Sequence, residues 1–490
     1  MVENKRIIVN ARAPSELTYE RGGLQLRLRG IILQNGGLDK MNKKKLIAAA
    51  MAALTVAFAV SACSGGSSVT GGNEPGISQI EWENADLRAE QFVMALVNGD
   101  YSVAASGFDA AMKRALSVPA LKKSWEDTVR EAGTFISIAE TQLIPHDEYE
   151  IYHVVSQHEK SGINTRIVFS ADGLVAGLFF SFVPNPGEPD MNPVQRDGFT
   201  DIPVIIGEDT DFPLVGIISM PDNRAGKVPA VVLVHGSGPM NMDSAAYGIT
   251  VFRDIAEYLA KNGIAVLRYD KRTYTHGAKL AVQFGDDITV REETIEDAIL
   301  AKVVLEKDQR IDSERIFVAG HSLGGMLTPR IASEGDFAGG IIMAGSPRSL
   351  LDIIYDQNMY YIGQMVISES ERSALLAQVD ESRADFFTLP EIYFKEMDEH
   401  PAETYLTSTS KPFLIIHGGK DFQVRAEIDF ALYEKIAEGC NNIELRLYNN
   451  LNHLFTVSTM ENPTTDDYIA GTSVDIKPLS DIAAWLNARV

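Results

Sequence analysis

Eight short apolar runs recur between Ile202 and Tyr448, and they constrain the fold more than any other feature of the chain. From the third run onward, they alternate with stretches whose apolar residues recur at helical spacing. Runs that are apolar on both faces are typical of a mostly parallel sheet that helices cover on both sides. Residues 199–490 are therefore predicted to form a doubly wound α/β domain. The runs are IPVII, LVGIIS, AVVLV, IAVLRY, IFVAG, GIIMAG, FLIIH and IELRLY.

Residues 81–183 have a different pattern, in which helical periodicity comes first and strand-like runs follow. Helices followed by an antiparallel meander predict a small α+β domain, and in outline this order resembles the nuclear-transport-factor-like cone fold. Residues 184–198 contain four prolines and two glycines, which predicts a linker between the two domains. A chain of 490 residues with 45% hydrophobic content can fill two such cores.

The fifth run ends in the sequence GHSLG, in which Ser322 lies between Gly320 and Gly324. A serine on a tight strand-to-helix turn is held in a strained conformation that exposes its oxygen. Its neighbours must then be small, to avoid the next strand and helix. The pentapeptide alone can arise by chance, but its position after a predicted strand indicates a nucleophile.

Two later strands are each followed by a polar residue that could activate this serine. Asp421 follows the run FLIIH, and His453 follows the run IELRLY. A serine hydroxyl needs a base to take its proton, and the base needs a carboxylate to fix its tautomer. Taken singly, Asp421 could be a turn residue and His453 a loop histidine. Their order after Ser322 predicts a catalytic triad whose side chains meet in a line of hydrogen bonds.

The attacked carbonyl also becomes an oxyanion, which needs backbone N–H donors. One is predicted to be the N–H of Leu323, directly after the nucleophile. The loop HGSGP after the third run should supply the other, from Ser237 first and Gly238 next. His235 is expected to shape this loop rather than to transfer protons.

The segments HGSGP, AVLRYDKR, GHSLGG and HGGKD together resemble the α/β-hydrolase superfamily, and specifically its bacterial serine esterases of the EstD type. The resemblance implies an eight-stranded, mostly parallel sheet with helices on both faces, behind a small N-terminal domain. It also implies hydrolysis of short-chain acyl esters by Ser322, Asp421 and His453, on a small-molecule substrate and without a cofactor. Thr273 departs from the family pattern, which has a glycine after Asp-Lys-Arg.

Residues 347–409, between the sixth and seventh runs, have apolar positions at helical spacing. In this fold such an insertion usually forms a helical cap over the pocket. The alternative is a set of helices packed on the outside of the sheet. Tyr and Met side chains in a cap would suit an apolar acyl group.

Two other functions are compatible with a hydrolase domain of this kind. A peptidase of the prolyl-oligopeptidase kind shares the catalytic domain, but no repeat with a period of about 40 residues precedes it here, as a propeller would require. A lipid-anchored binding protein with an inert hydrolase domain is the other alternative. Against it, all three triad positions are filled.

The start of the chain is read as a targeting signal. Residues 1–40 are interpreted as a non-native extension, and residues 41–63 combine a lysine cluster, a 15-residue apolar segment and small residues before Cys63. This pattern resembles a bacterial lipoprotein signal peptide, which implies lipidation of Cys63 and a membrane-anchored location in the cell envelope. The Gly/Ser-rich residues 64–80 would then be a flexible tether.

Charge and composition exclude other classes of partner. The formal net charge is −23, whereas nucleic-acid binding needs clustered Lys and Arg. No metal site is expected, because the spacing of His146, His153 and His158 matches no ligand motif and exposed strand positions explain them. With Cys63 lipidated, Cys440 would be a free thiol.

Overall fold

The computed structural model describes both predicted domains. The predicted signal segment, its tether and Cys63 lie outside the described residues. Near the start of the chain, Leu17–Glu20 pairs antiparallel with Gly23–Leu26. The described residues are 17–20, 23–26 and 85–489, apart from 147–148, 186, 188, 224–225, 366, 383–389, 466 and 469–472.

In the described part of the N-terminal domain, four helices pack on one face of a four-stranded antiparallel sheet. The sheet follows chain order, as the predicted meander requires. The helices are α1 (Ala85–Val97), α2 (Tyr101–Ser106), α3 (Ala110–Ala115) and α4 (Val118–Ala132). The strands are β1 (Phe135–His146), β2 (Tyr149–His158), β3 (Gly162–Phe169) and β4 (Val175–Val183).

One histidine of this domain contradicts its predicted exposure. His158 is buried, because alternate residues of β2, beginning with Tyr152, face the helices. Its ring nitrogens lie 3.0 Å from the Ser156 hydroxyl and 3.0 Å from the carbonyl oxygen of Gly133. His158 is therefore a hydrogen-bonded core residue and not an exposed strand residue.

The C-terminal domain is built on a nine-stranded sheet, one strand more than the eight predicted. All eight apolar runs form strands. The additional strand comes from the predicted linker, where two residues between Pro193 and Gly198 pair antiparallel with the sheet edge. In spatial order the strands are β15 (Ile443–Tyr448), β14 (Phe413–Gly418), β13 (Gly340–Met343), β12 (Ile311–His321), β8 (Val228–Val234), β11 (Ala265–Tyr269), β7 (Leu214–Pro221), β6 (Phe199–Ile206) and β5 (Val194–Gln195).

The pairing is parallel from β15 to β11 and antiparallel from β11 to β5. The short strands β9 (Ala245–Ala246) and β10 (Ile249–Thr250) pair antiparallel with each other outside this sheet. Each of the two faces of the sheet carries its own apolar core. On the central strand β8, Val231 and Leu233 point into one core, while Ala230, Val232 and Val234 point into the other. This burial on both faces explains why the strands read as continuous apolar runs.

Helices cover both faces, as the resemblance implies. Helices α5 and α14 pack into one core, and α7 and α8 pack into the other. None of the helices in the described ranges has the length and apolarity needed to cross a membrane. The helices are α5 (Val251–Lys261), α6 (Arg272–Gln283), α7 (Glu296–Glu306), α8 (Leu323–Glu334), α9 (Leu350–Gln364), α10 (Glu369–Ser382), α11 (Glu391–Glu399), α12 (Ala402–Thr407), α13 (Asp429–Ala437) and α14 (Ile476–Asn487).

The predicted cap segment contains α9 to α12. The Gln357 side chain of α9 donates to the carbonyl oxygen of Gln423, 3.0 Å away, in the loop that follows β14. Helices α9, α11 and α12 also share the core on the α8 side of the sheet, where they bury Leu350, Ile353, Tyr393, Phe394 and Leu406. All three helices therefore pack against the sheet domain, and α9 in addition lies beside a loop at the carboxyl edge.

Candidate active site

Ser322 lies on the turn between β12 and α8, at the carboxyl edge of the sheet. Its φ of 56° and ψ of −119° form a combination that a residue with a Cβ rarely adopts. A Cβ on Gly320 would lie 2.0 Å from the carbonyl oxygen of Gly324, and a Cβ on Gly324 would lie 2.3 Å from that of Val234. Because both contacts are with backbone, a larger residue would displace the strand or the helix. The turn thus accounts for both glycines of the motif.

Asp421 lies in the loop after β14 and is buried. Its Oδ1 accepts hydrogen bonds from the N–H groups of Gln423 and Val424, each at 2.9 Å. Burial alone would raise the pKa of the Asp421 carboxyl, but the charge and the hydrogen bond of the His453 imidazole lower it. The charge of His417 and the Val424 N–H act in the same direction, so the pKa lies below its ordinary value. The carboxylate is therefore ionised at neutral pH.

His453 lies in the loop after β15 and is also buried. Its Nδ1 donates to Oδ2 of Asp421 at 2.7 Å, since an ionised carboxylate can only accept. The loop is fixed by the preceding Asn452, whose Oδ1 accepts from the N–H groups of Leu454 and Thr456. In the neutral ring, a proton held on Nδ1 by this hydrogen bond leaves Nε2 as an acceptor, as a general base requires.

Ser322, the third member of the predicted triad, does not make the predicted hydrogen bond to His453. Among the residues that the structure describes, no hydrogen bond joins the Ser322 hydroxyl to His453 or to any other group. Ser322 is partly exposed, whereas the residues on either side of it are buried. His453 nevertheless packs on the neighbour of the serine, since its ring centroid lies 4.7 Å from that of His321. The structure thus brings Asp421 and His453 together, and Ser322 directly follows the residue on which His453 packs but makes no hydrogen bond to His453.

The predicted oxyanion donors lie on two sides of Ser322. A Cβ on Gly236 would come within 3.1 Å of the Ser322 Cβ, so the loop after β8 touches the nucleophile. Within the described ranges, the N–H groups of Leu323 and Ser237 donate to no protein acceptor. Gly238 follows in the same exposed stretch with φ of 82°. Both unpaired N–H groups are available to a ligand at the carboxyl edge.

Two further histidines near the site are neutral at ordinary pH. Burial and the charge of Lys271 lower the pKa of His235 to about 3, and burial and the charge of His453 lower that of His321 to about 3. Each ring uses Nε2 to donate to a carbonyl oxygen, His235 to Asn241 at 3.0 Å and His321 to His453 at 2.8 Å. His235 thus shapes its own loop, and His321 fixes the backbone of His453.

Aromatic rings adjoin the loop that carries Asp421. Phe422 stacks on Tyr360 of α9, with ring centroids 5.9 Å apart, and meets Tyr361 edge-on at 5.8 Å. Phe422 also stacks on Tyr468, with ring centroids 5.3 Å apart. The first helix of the predicted cap therefore supplies apolar surface beside the candidate acid.

Sequence reasoning missed Lys271, which is buried against the loop after β8 and contacts the carbonyl oxygen of Gly236. The motif AVLRYDKR contains this lysine as the second residue after β11, but the motif assigned it no task. Sequence reasoning also assigned no task to Glu293, the partner of this lysine. Across the described part of the chain, His, Cys, Asp and Glu form no group of three or more that could hold a metal ion.

Two family models match separate parts of the chain. Residues 89–178 match a family described as a protein of unknown function (DUF3887), and residues 231–456 match the alpha/beta hydrolase family. Two solved esterase structures also match, Pf2001 from Pyrococcus furiosus and Est1E from Butyrivibrio proteoclasticus. The first is 21% identical and covers 62% of this chain and 99% of its own, with a TM-score of 0.39. The second is 17% identical and covers 58% and 99%, with a TM-score of 0.39.

At these TM-scores, neither structure adds to the assignment. The likeness to a curated protein is stronger. Esterase EstD of Thermotoga maritima is 32% identical over 406 residues, which are 82% of this chain and 95% of that protein. Residues 199–490 are too few to contain a match of this length, so the likeness extends into the N-terminal domain. The chain therefore belongs to the alpha/beta hydrolase family, as a relative of esterase EstD.

Proposed function

We propose that this chain hydrolyses carboxylic esters through an acyl-enzyme intermediate on Ser322. The observation that carries the proposal is the buried 2.7 Å hydrogen bond from His453 to Asp421, next to a serine held at φ of 56°. A carboxylate that orients an imidazole beside a partly exposed, strained serine is the arrangement that acyl transfer requires. The likeness to esterase EstD supports an ester as the substrate.

In the first half of the reaction, Nε2 of His453 takes the proton of the Ser322 hydroxyl while the oxygen attacks the ester carbonyl. The tetrahedral oxyanion is held by the N–H groups of Leu323 and Ser237, with Gly238 next along the loop. The hydrogen bond between Ser322 and His453 forms when substrate closes the site, as is common for catalytic contacts that are long in a free enzyme. The C–O bond then breaks, and the alcohol leaves with the proton from His453.

In the second half, water attacks the acyl carbon and gives a proton to His453. The second tetrahedral intermediate collapses, the acid leaves, and Ser322 recovers its proton from His453. Asp421 stays ionised throughout and stabilises the imidazolium that forms twice in each cycle. Every proton is passed between these residues, substrate and water, so the cycle needs no cofactor.

The proposed substrates carry short, apolar acyl groups. Tyr360 and Tyr361 of α9 pack on Phe422 beside Asp421, and this apolar surface favours an acyl chain over a charged group. Each additional methylene group changes kcat/KM only modestly, so kcat/KM should change gradually along a series of acyl chain lengths.

A panel of p-nitrophenyl esters from acetate to dodecanoate, with matching anilides, tests the proposal. We expect kcat/KM to be highest between acetate and hexanoate and to fall by at least about tenfold at dodecanoate. The anilides should react far more slowly than the esters. Absence of ester hydrolysis would contradict the proposal and favour a binding protein, and faster cleavage of acyl-peptide amides would favour a peptidase.

We further propose that the mature chain begins at Cys63 and is anchored by lipid in the bacterial cell envelope, outside the cytoplasm. The support is the sequence pattern of residues 41–63. Expression in a bacterium with radioactive palmitate should label the wild-type protein and place it in the membrane fraction. Cys63→Ser should carry no label, while Cys440→Ser, which removes the other cysteine, should be labelled like the wild type. An unlabelled wild-type protein that has lost its first 62 residues would refute the anchor.

A further inference from the structure

A buried lysine lies at the carboxyl edge of the sheet, outside the proposed triad. Lys271 follows β11, and its side chain is only 2% exposed. Moving an ammonium group out of water costs free energy, and the attraction between the two charges of a buried ion pair often only offsets that cost. A hydrophobic side chain would fill the same space at least as well, so the charge itself calls for an explanation.

The ammonium group of Lys271 has two partners, and one of them belongs to the loop that touches Ser322. Nζ donates to the carbonyl oxygen of Gly236 at 2.8 Å and to Oε1 of Glu293 at 2.5 Å. The other carboxylate oxygen of Glu293 accepts from the Tyr393 hydroxyl at 2.8 Å. Glu293 and Tyr393 are both buried, so the lysine is held in position from behind.

Glu293 lies in a π-helical turn, Arg291–Ile295, that directly precedes α7. A π-helical turn costs more than continuous α-helix and is frequent at functional sites. Here it presents the carboxylate to Lys271, whereas Tyr393 reaches the same carboxylate from α11. Two separate elements thus converge on one buried ion pair.

Lys271 and Asp270 also form hydrogen bonds with the rest of the loop after β8. The N–H of Lys271 donates to the carbonyl oxygen of Met240 at 3.0 Å. The carboxylate of Asp270 accepts from the N–H of Met242 at 2.7 Å. With the contact to Gly236, the loop is bound at both of its ends, and the exposed residues Ser237 and Gly238 lie between these contacts.

We propose that Lys271, held by Glu293 and Tyr393, is a positioning residue that orients the Gly236–Ser237 peptide so that the Ser237 N–H faces the developing oxyanion. In a planar trans peptide, the C=O of one residue and the N–H of the next point in opposite directions. Lys271 fixes the Gly236 carbonyl, and it therefore fixes the direction of the Ser237 N–H as well. The Ser237 N–H has no acceptor among the described residues. It directly follows Gly236, which lies against Ser322. The inference rests on the proposed ester hydrolysis at Ser322.

Kinetics of Lys271→Met test the proposal, because methionine keeps the apolar stem and removes the donor. We expect kcat to fall by about 10- to 100-fold with KM changed by less than about threefold, as for partial loss of an oxyanion donor. A trifluoromethyl ketone, which binds as an oxyanion, should lose affinity by the same factor as kcat/KM. Lys271→Arg, which keeps a donor, should recover part of kcat. A loss confined to packing would give neither the kcat-only effect nor the parallel loss of inhibitor affinity.

Two further variants separate this role from loss of a buried charge. Lys271→Met/Glu293→Gln removes both charges and should fold better than the single variant, because no unpaired carboxylate stays buried. It should keep the kcat loss. Arg330→Met removes another buried cation, paired with Glu334 and Glu396 and without contact to the loop, and should keep wild-type kcat.

A folded single or double variant with wild-type kcat and inhibitor affinity would overturn the proposal, and so would an equal loss of kcat in Arg330→Met. Neither result would affect the proposed function, which depends on the ester hydrolysis of the wild-type protein. Conversely, a wild-type protein without ester hydrolysis would remove the proposed function, and the role of Lys271 with it.

Discussion

Replacing Ser322 with alanine should lower kcat for ester hydrolysis by about 10⁵- to 10⁶-fold, because the attacking oxygen is lost. The same change should shift the free energy of unfolding by less than about 1 kcal/mol. The Ser322 hydroxyl makes no hydrogen bond in the described part of the chain, so its removal leaves no buried group unpaired. Initial rates with p-nitrophenyl acetate and a urea unfolding curve on the same preparation measure both quantities.

Ser333→Ala is a matched control, since it makes the same change on the exposed surface of the helix that Ser322 precedes. It should leave both kcat and the unfolding curve unchanged. If Ser322→Ala kept more than about one hundredth of wild-type kcat, another group would have to be the nucleophile. Unfolding of Ser322→Ala at much lower urea would instead show that the hydroxyl supports the turn.

Most of the fold could be predicted from sequence because the strands of the C-terminal sheet are buried on both faces. Each such strand is a continuous apolar run, as β8 shows with seven consecutive buried residues. The strand Val194–Gln195 could not be found in this way, since both of its residues are exposed and a proline directly precedes it. His158 was placed wrongly, because strand alternation alone does not tell which face the helices cover.

The candidate triad was predictable for a topological reason. Ser322, Asp421 and His453 each follow a parallel strand, and the carboxyl ends of parallel strands share one edge of the sheet. The support around the triad was not predictable. Glu293 lies 22 residues from Lys271 and 100 residues from Tyr393, and packing between separate elements brings them together. No local pattern in a sequence encodes such a contact.

Replacing Asp421 with asparagine should lower kcat by about 10⁴-fold while the chain still folds. The two backbone N–H groups that bind Oδ1, from Gln423 and Val424, determine how an asparagine would sit. They would retain its oxygen, and the NH₂ group would then occupy the position of Oδ2 and face Nδ1 of His453. An NH₂ group only donates, so Nδ1 would have to accept and the ring proton would move to Nε2. A protonated Nε2 cannot take the proton of Ser322.

Asp429→Asn provides the control for loss of a buried carboxylate. Asp429 accepts from the Ser346 hydroxyl at 2.5 Å and from Nε of Arg348 at 2.7 Å, outside the proposed triad. Its replacement should lower the Tm and leave kcat within about threefold of wild type. Equal kcat losses in the two variants would assign the effect to a missing charge, and wild-type kcat in Asp421→Asn would remove Asp421 from the mechanism. The kcat loss in Asp421→Asn could come from a changed tautomer of His453 or from a less stable fold. The ¹⁵N chemical shifts of the His453 ring separate the two, because only the changed tautomer moves the proton from Nδ1 to Nε2.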